Sequence, residues 1–156
     1  MKKANIAPKK HRRGFTLIEC IVVLAVISLV LIVTVPRLGI IYDRQLVEQQ
    51  VRLVESDLLW LRSEAARTGG PTIMQCGVGE GYTLTISENE EAKTETRALV
   101  SKRLTMSTNA RYGQVIFQPR GTAFEKCTIR IQSGEVVRTV VVNNLGRIRV
   151  GRGHEG

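Results

Sequence analysis

Hydrophobic and polar positions divide the chain into three stretches with different periods. Residues 15–36 are apolar almost without interruption, and Glu19 is the one formal charge among them. Crossing a hydrocarbon core takes roughly 20 apolar residues, so this run is predicted to be a membrane-spanning helix. Beyond Pro36 the pattern changes. Val47, Val51, Val54, Leu58, Leu61 and Ala65 recur in steps of three and four, which marks one face of a helix over residues 37–68. Gly69-Gly70-Pro71 is a stop signal for that helix. Pro36 lacks an N–H donor and is expected to kink or loosen the helix where the two stretches meet. The stripe is short and strands follow it, so packing on the chain's own sheet is expected in preference to a coiled-coil seam.

From residue 71 the period is two. Tyr82, Leu84 and Ile86 alternate with threonines, and Cys127, Ile129 and Ile131 alternate with polar residues. Ser133-Gly134 reads as a hairpin turn into a strand over 135–142. Asn143-Asn144-Leu145-Gly146 turns into a last strand over 147–150. Further strands are predicted near 99–106 and 114–117, and the acidic stretch Glu88–Glu91 reads as a hairpin tip. The fold class is therefore α+β: one long N-terminal helix, its first half membrane-spanning, packed on antiparallel sheet. The predicted organisation is a basic leader (1–14), an apolar helix (15–36), its amphipathic continuation (37–68) and a β-rich domain (69–156).

Charge sharpens the topology. The chain of 156 residues carries a formal charge of +9, and six of its 23 basic residues precede residue 15 with no acidic residue among them. The high pI is thus largely a property of the leader and does not by itself indicate nucleic-acid binding. By the positive-inside rule, residues 1–14 stay in the cytoplasm and the C-terminal part is exported. A secretory signal peptide would have a shorter apolar core followed by a small-residue cleavage site. Here the small residue, Gly14, comes before the run, which suggests cleavage on the cytoplasmic side with the apolar segment retained.

Gly14-Phe15-Thr16-Leu17-Ile18-Glu19, after a basic leader and before an apolar helix, resembles the class III signal of type IV pilins and pseudopilins. The resemblance implies that prepilin peptidase cuts between Gly14 and Phe15 and methylates the new amine of Phe15. It also implies that Glu19 faces the N-terminal amine of a neighbouring subunit in a filament. The physical logic is consistent. An α-amine has an unperturbed pKa of about 7.7–8.0, and a buried unpaired charge is costly, so Glu19 supplies the counter-charge. A carboxylate near the interface that simply reaches water is the alternative.

The C-terminal half is similar to the end of the GspH/FimT minor pilin domain. The matching segments are Val140-Val141-Val142-Asn143-Asn144-Leu145-Gly146-Arg147-Ile148-Arg149 and, before it, Gln114-Val115-Ile116-Phe117-Gln118-Pro119-Arg120-Gly121. This implies a minor subunit that initiates or caps a type IV filament-like assembly in type II protein secretion, or a FimT-like pilin that binds DNA during uptake. The implied partners are prepilin peptidase, other major and minor pseudopilins or pilins, an inner-membrane assembly platform, membrane lipid and, on the second reading, DNA. The implied location is the bacterial inner membrane, single-pass, and then the filament.

Other candidate chemistry is sparse. His154 is the one histidine after residue 14, so a histidine triad or multi-histidine metal site is hard to assemble. Gly77-Val78-Gly79-Glu80-Gly81 lies between strands and not before a helix, so it reads as a turn. No enzyme activity, cofactor or metal is expected. Cys20 falls in the apolar helix. Cys76 and Cys127 fall in the exported part, where they form either a disulfide or two buried thiols. Arg147 and Arg149 share a strand face about 6.6 Å apart, and Arg152 extends the run. These arginines either contact DNA phosphates or protect an edge strand with charge.

Overall fold

The computed structural model describes the backbone of residues 15–78, 80–88 and 91–152, and the side chains in those ranges except at 33–38, 78 and 152. The leader, including Gly14, and the tip residues 89–90 lie outside the described residues. The chain divides into two units, residues 1–37 and 38–156. Helix α1 spans Leu17–Thr68, beginning in the first unit and ending in the second.

In the first unit every described side chain from Phe15 to Ile32 is exposed. The helix starts with a cap: the Glu19 N–H donates to Thr16 Oγ1 at 3.3 Å. Thr16 and Glu19 have the Thr-x-x-Glu spacing of a capping box, in which a hydroxyl satisfies an amide left free by the first turn. Among the described residues, no helix is long and apolar enough to cross a membrane.

In the second unit the predicted stripe is the inner face of the helix. Val47, Val54, Leu58, Leu61 and Ala65 are fully buried, Val51 nearly so, and Leu46 and Gln50 join them. Among the described residues, eight strands follow. β1 (Thr72–Val78), β2 (Gly81–Glu88), β3 (Glu91–Ala98) and β5 (Gln114–Phe117) form an antiparallel sheet in the order β3-β2-β1-β5. β4 (Thr105–Thr108), β6 (Cys127–Ser133), β7 (Val136–Val142) and β8 (Ile148–Arg152) form a second, in the order β4-β6-β7-β8. Both sheets contribute to one core with the helix: Met74, Tyr82, Leu84 and Phe117 from the first, and Ile129, Ile131, Val140 and Val142 from the second.

Three sequence expectations shift. The strand expected over 99–106 is confined to β4. The segment before it is a loop that packs its half-buried Leu99 against the core and is pinned to the helix, because the Val100 N–H donates to Gln50 Oε1 at 2.9 Å. The β6–β7 turn is Gly134-Glu135, with Ser133 and Val136 paired across it. Gly134 adopts the left-handed φ of +56° that this turn needs. The last strand runs from Ile148 to Arg152, so Arg147 belongs to the preceding turn.

Candidate functional site

The signal at the N-terminus is placed by the helix start. Phe15 is exposed and sits just ahead of α1, and Glu19 is exposed in its first turn. The cleavage junction is only half described, since Gly14 lies outside the described residues. Thr16 escaped the sequence reading, although its Thr-x-x-Glu spacing was visible. An acid in the first turn also suits the positive end of the helix dipole, so Glu19 has a local role besides any role between subunits.

Cys76 and Cys127 are buried in the shared core as free thiols. The disulfide that was one of the two sequence expectations is therefore not formed in this structure. The two residues come from different sheets, on β1 and β6, and pack as small apolar side chains. Burial pushes the Cys76 thiol up to about 12, and the neighbouring Cys127 adds to that rise. Burial likewise pushes Cys127 up to about 11, with the Glu125 carboxylate contributing. Both are protonated and unreactive at neutral pH. Cys20 is exposed on the first segment of α1.

The turn that leads into the Gly-Arg-x-Arg segment is held both by local hydrogen bonds and by contacts distant in sequence. Within the turn, the Gly146 N–H donates to the Asn143 carbonyl at 2.8 Å and the Arg147 N–H to Asn143 Oδ1 at 2.8 Å. The Ala123 N–H reaches the Asn144 carbonyl at 3.1 Å. Arg62 Nε, from the helix, donates to the Gly121 carbonyl at 3.0 Å. Gly146 has φ +74°, and a Cβ there would sit 2.0 Å from the Gly121 oxygen. Glycine is thus required twice over, by backbone conformation and by space.

Arg147 and Arg149 are both exposed, and neither forms an ion pair among the described residues. Arg149 is in register with Val141 on β7, which is itself opposite Thr128. The adjacent row contains Arg130, opposite Thr139, which sequence reading did not single out. Arg152 is in register with Arg138 and so falls in a different row from Arg149; its side chain lies outside the described residues. Ser107, Asn109, Thr128, Arg130 and Thr139 line a shallow polar basin on this sheet. Among the described residues no cluster of His, Cys, Asp or Glu is suited to hold a metal ion.

A helix entered through an N-terminal methylation signal and continued onto antiparallel sheet defines a pilin-like subunit. The prokaryotic N-terminal methylation motif matches residues 9–35. The family described as type II transport protein GspH matches residues 50–146, more than half of the chain, and the chain belongs to that family. Solved structures agree on the fold. The type IV minor pilin FimU of Pseudomonas aeruginosa shares 18% identity at a TM-score of 0.57, over 70% of this chain and 90% of that one. The minor pseudopilin EpsH from the type 2 secretion system of Vibrio cholerae shares 15% identity at a TM-score of 0.57, over 70% of this chain and 98% of that one. A comparison with curated proteins finds no match. The family is one of structural minor pilins and pseudopilins, not of enzymes.

Proposed function

We propose that the chain is a minor pseudopilin that helps initiate or cap a filament in type II protein secretion. The observation that carries this reading is the first segment of α1, whose apolar side chains are exposed from Phe15 to Ile32 with one acid near the start. Exposed apolar surface of this extent needs a covering. Lipid covers it before assembly, when residues 15–36 span the inner membrane with residues 1–14 in the cytoplasm, and the helices of neighbouring subunits cover it afterwards. In this reading prepilin peptidase cleaves after Gly14 and methylates Phe15. Glu19 pairs with a neighbouring N-terminal amine, and the assembly platform draws the subunit into the filament. The test is mass spectrometry of the chain co-produced with prepilin peptidase. A chain beginning at methylated Phe15 supports the reading, and one still beginning at Met1 or cut beyond Pro36 ends it. Glu19→Ala should be cleaved normally yet fail to enter filaments.

A second reading is DNA capture by a FimT-like pilin. The exposure of Arg147 and Arg149 without ion partners among the described residues favours it. Phosphate contacts give sequence-independent affinity that falls with salt. Titration of the chain with fluorescent duplex DNA at two salt concentrations tests it. Wild type should bind in a salt-dependent manner, and the double variant Arg147→Gln/Arg149→Gln should bind more weakly. Equal binding by both leaves the secretion role alone.

A further inference from the structure

Among the described residues, four strands lie at sheet edges: β3, β5, β4 and β8. β3 is the longest, with eight residues against four, four and five, and all eight are exposed. It pairs with β2 through eight consecutive partners without a register shift. It contains no proline. A long, straight, uncovered edge is a template for another strand unless something blocks it.

The charges on β3 are expected to be the block, yet their order does the opposite in one register. Glu91, Lys93, Glu95 and Arg97 share one face, opposite Glu88, Ile86, Leu84 and Tyr82 of β2. Their signs alternate. Ala92, Thr94, Thr96 and Ala98 make up the other face. The Leu99 N–H donates to the Glu80 carbonyl, which fixes the phase of the β2–β3 ladder. Residues 91, 93, 95 and 97 therefore direct their backbone groups toward β2, and 92, 94, 96 and 98 direct theirs to the free edge.

We propose that β3 pairs antiparallel with β3 of a second copy of this chain, about a dyad at Thr94. In this register Glu91 lies opposite Arg97 of the other copy and Lys93 opposite Glu95, so all four pairs join opposite charges. Thr94 faces its own equivalent, and Ala92 faces Thr96. The backbone phase agrees: residues 92, 94 and 96 form the hydrogen-bonded pairs, and the charges fall on the non-hydrogen-bonded pairs, where side chains approach most closely. A shift of two residues either way sets Lys93 against Lys93 or Glu95 against Glu95. A shift of one sets charges against threonine and alanine. A shift of four again opposes unlike charges but keeps only two of the four pairs, so the alternation favours the register about Thr94. The dyad stands normal to the sheet, so the helix segments 38–68 of the two copies run in opposite directions. The pair is consequently distinct from the same-way packing of neighbours in a filament, and it covers the free edge of a chain outside one.

The test uses the full chain in detergent with Cys20→Ser and Thr94→Cys, a short thiol–thiol cross-linker and moderate ionic strength. The charge pattern predicts a specific outcome set. Cross-linked pairs form in this background. Lys93→Glu alone and Glu95→Lys alone each lower the yield by about tenfold, because each turns two symmetric contacts repulsive. Mixing those two variants restores the yield, since each then complements the other, and the double variant Lys93→Glu/Glu95→Lys also restores it. Far-UV circular dichroism and the unfolding transition should match among all variants. Absent cross-linking in the Thr94→Cys background, or equal cross-linking in the single charge variants and the mixture, overturns the proposal.

Discussion

Residues 17–32 and residues 46–65 belong to one helix and use apolar side chains in opposite ways. The first stretch is apolar around its whole circumference, and all its described side chains are exposed. The second is apolar along one stripe, and that stripe is buried in the core of the second unit. The difference lies in what each stretch is built to meet. A stripe fits a single sheet-forming core inside the same chain. An all-round apolar surface fits surroundings that the chain does not contain, which are lipid or other helices. Stability should therefore be sensitive to the second stretch and nearly indifferent to the first.

The largest expected effect comes from removing part of the stripe. Leu58 is a fully buried helix residue in the core that the helix shares with both sheets. Leu58→Ala should destabilise residues 38–156 by about 2–5 kcal/mol, as buried leucine truncations do. Trp60, the chain's one tryptophan, lies two residues away and half exposed, so its fluorescence during denaturant unfolding reports the change. A loss below about 1 kcal/mol would break the comparison, because the stripe would then not be the source of stability.

A smaller effect is expected where the helix holds a loop and not the core. Gly146→Ala forces a Cβ toward the Gly121 oxygen at a backbone φ of +74°. The cost should be on the order of 1–3 kcal/mol, the range for strained left-handed backbone. The contact between Arg62 and the Gly121 carbonyl should loosen with it. Proteolysis within 118–124 or 143–147 would increase even where global unfolding shifts little.

The stripe and the loop lock differ in how far sequence could reveal them. The stripe was legible because its spacing is local: each apolar residue lies three or four positions from the next. The strands around Tyr82 and Ile129 were legible for the same reason, with period two. β3 was not, because exposure on both faces removes the alternation that identifies a strand. The lock at Gly146 was invisible as well. Its partners, Arg62 and Gly121, are far away in sequence, and only the folded chain brings them together. Gly14, Phe15 and Glu19 were legible as a motif, whereas Thr16 was passed over because its cap is a polar device within an apolar run. The two cysteines could be assigned to the core from alternation, but pattern alone could not decide between thiols and a bridge.

Their thiols supply the next prediction. Both are held protonated in the core, with Cys76 raised from 9.0 to about 12 and Cys127 from 9.0 to about 11. A thiol with a raised folded value binds its proton more tightly when folded. It therefore stabilises fully below about pH 9, and that stability is lost as the pH rises from there toward 11 and 12. At pH 10 the loss should be on the order of 1 kcal/mol per thiol. Denaturant unfolding at pH 8 and pH 10 measures it, and the double variant Cys76→Ser/Cys127→Ser should flatten the difference. Rapid alkylation of both thiols in the folded chain at pH 8 would contradict their burial.

The smallest expected effect tests the other half of the comparison. Leu24 and Ile27 are exposed on the first stretch of α1. Truncating an exposed side chain leaves no cavity and strands no polar group, so surface changes of this kind usually stay within about 0.5 kcal/mol. Leu24→Ala and Ile27→Ala should accordingly leave the unfolding of residues 38–156, read from Trp60, unchanged within that margin. If the first stretch serves to meet lipid and neighbouring helices, the same variants should instead lower the amount of chain recovered in sheared filaments, where each exposed side chain becomes an interface residue. A loss of domain stability from either variant, comparable to that of Leu58→Ala, would mean that the all-round apolar surface supports the fold of its own chain, and the distinction between the two stretches would fail.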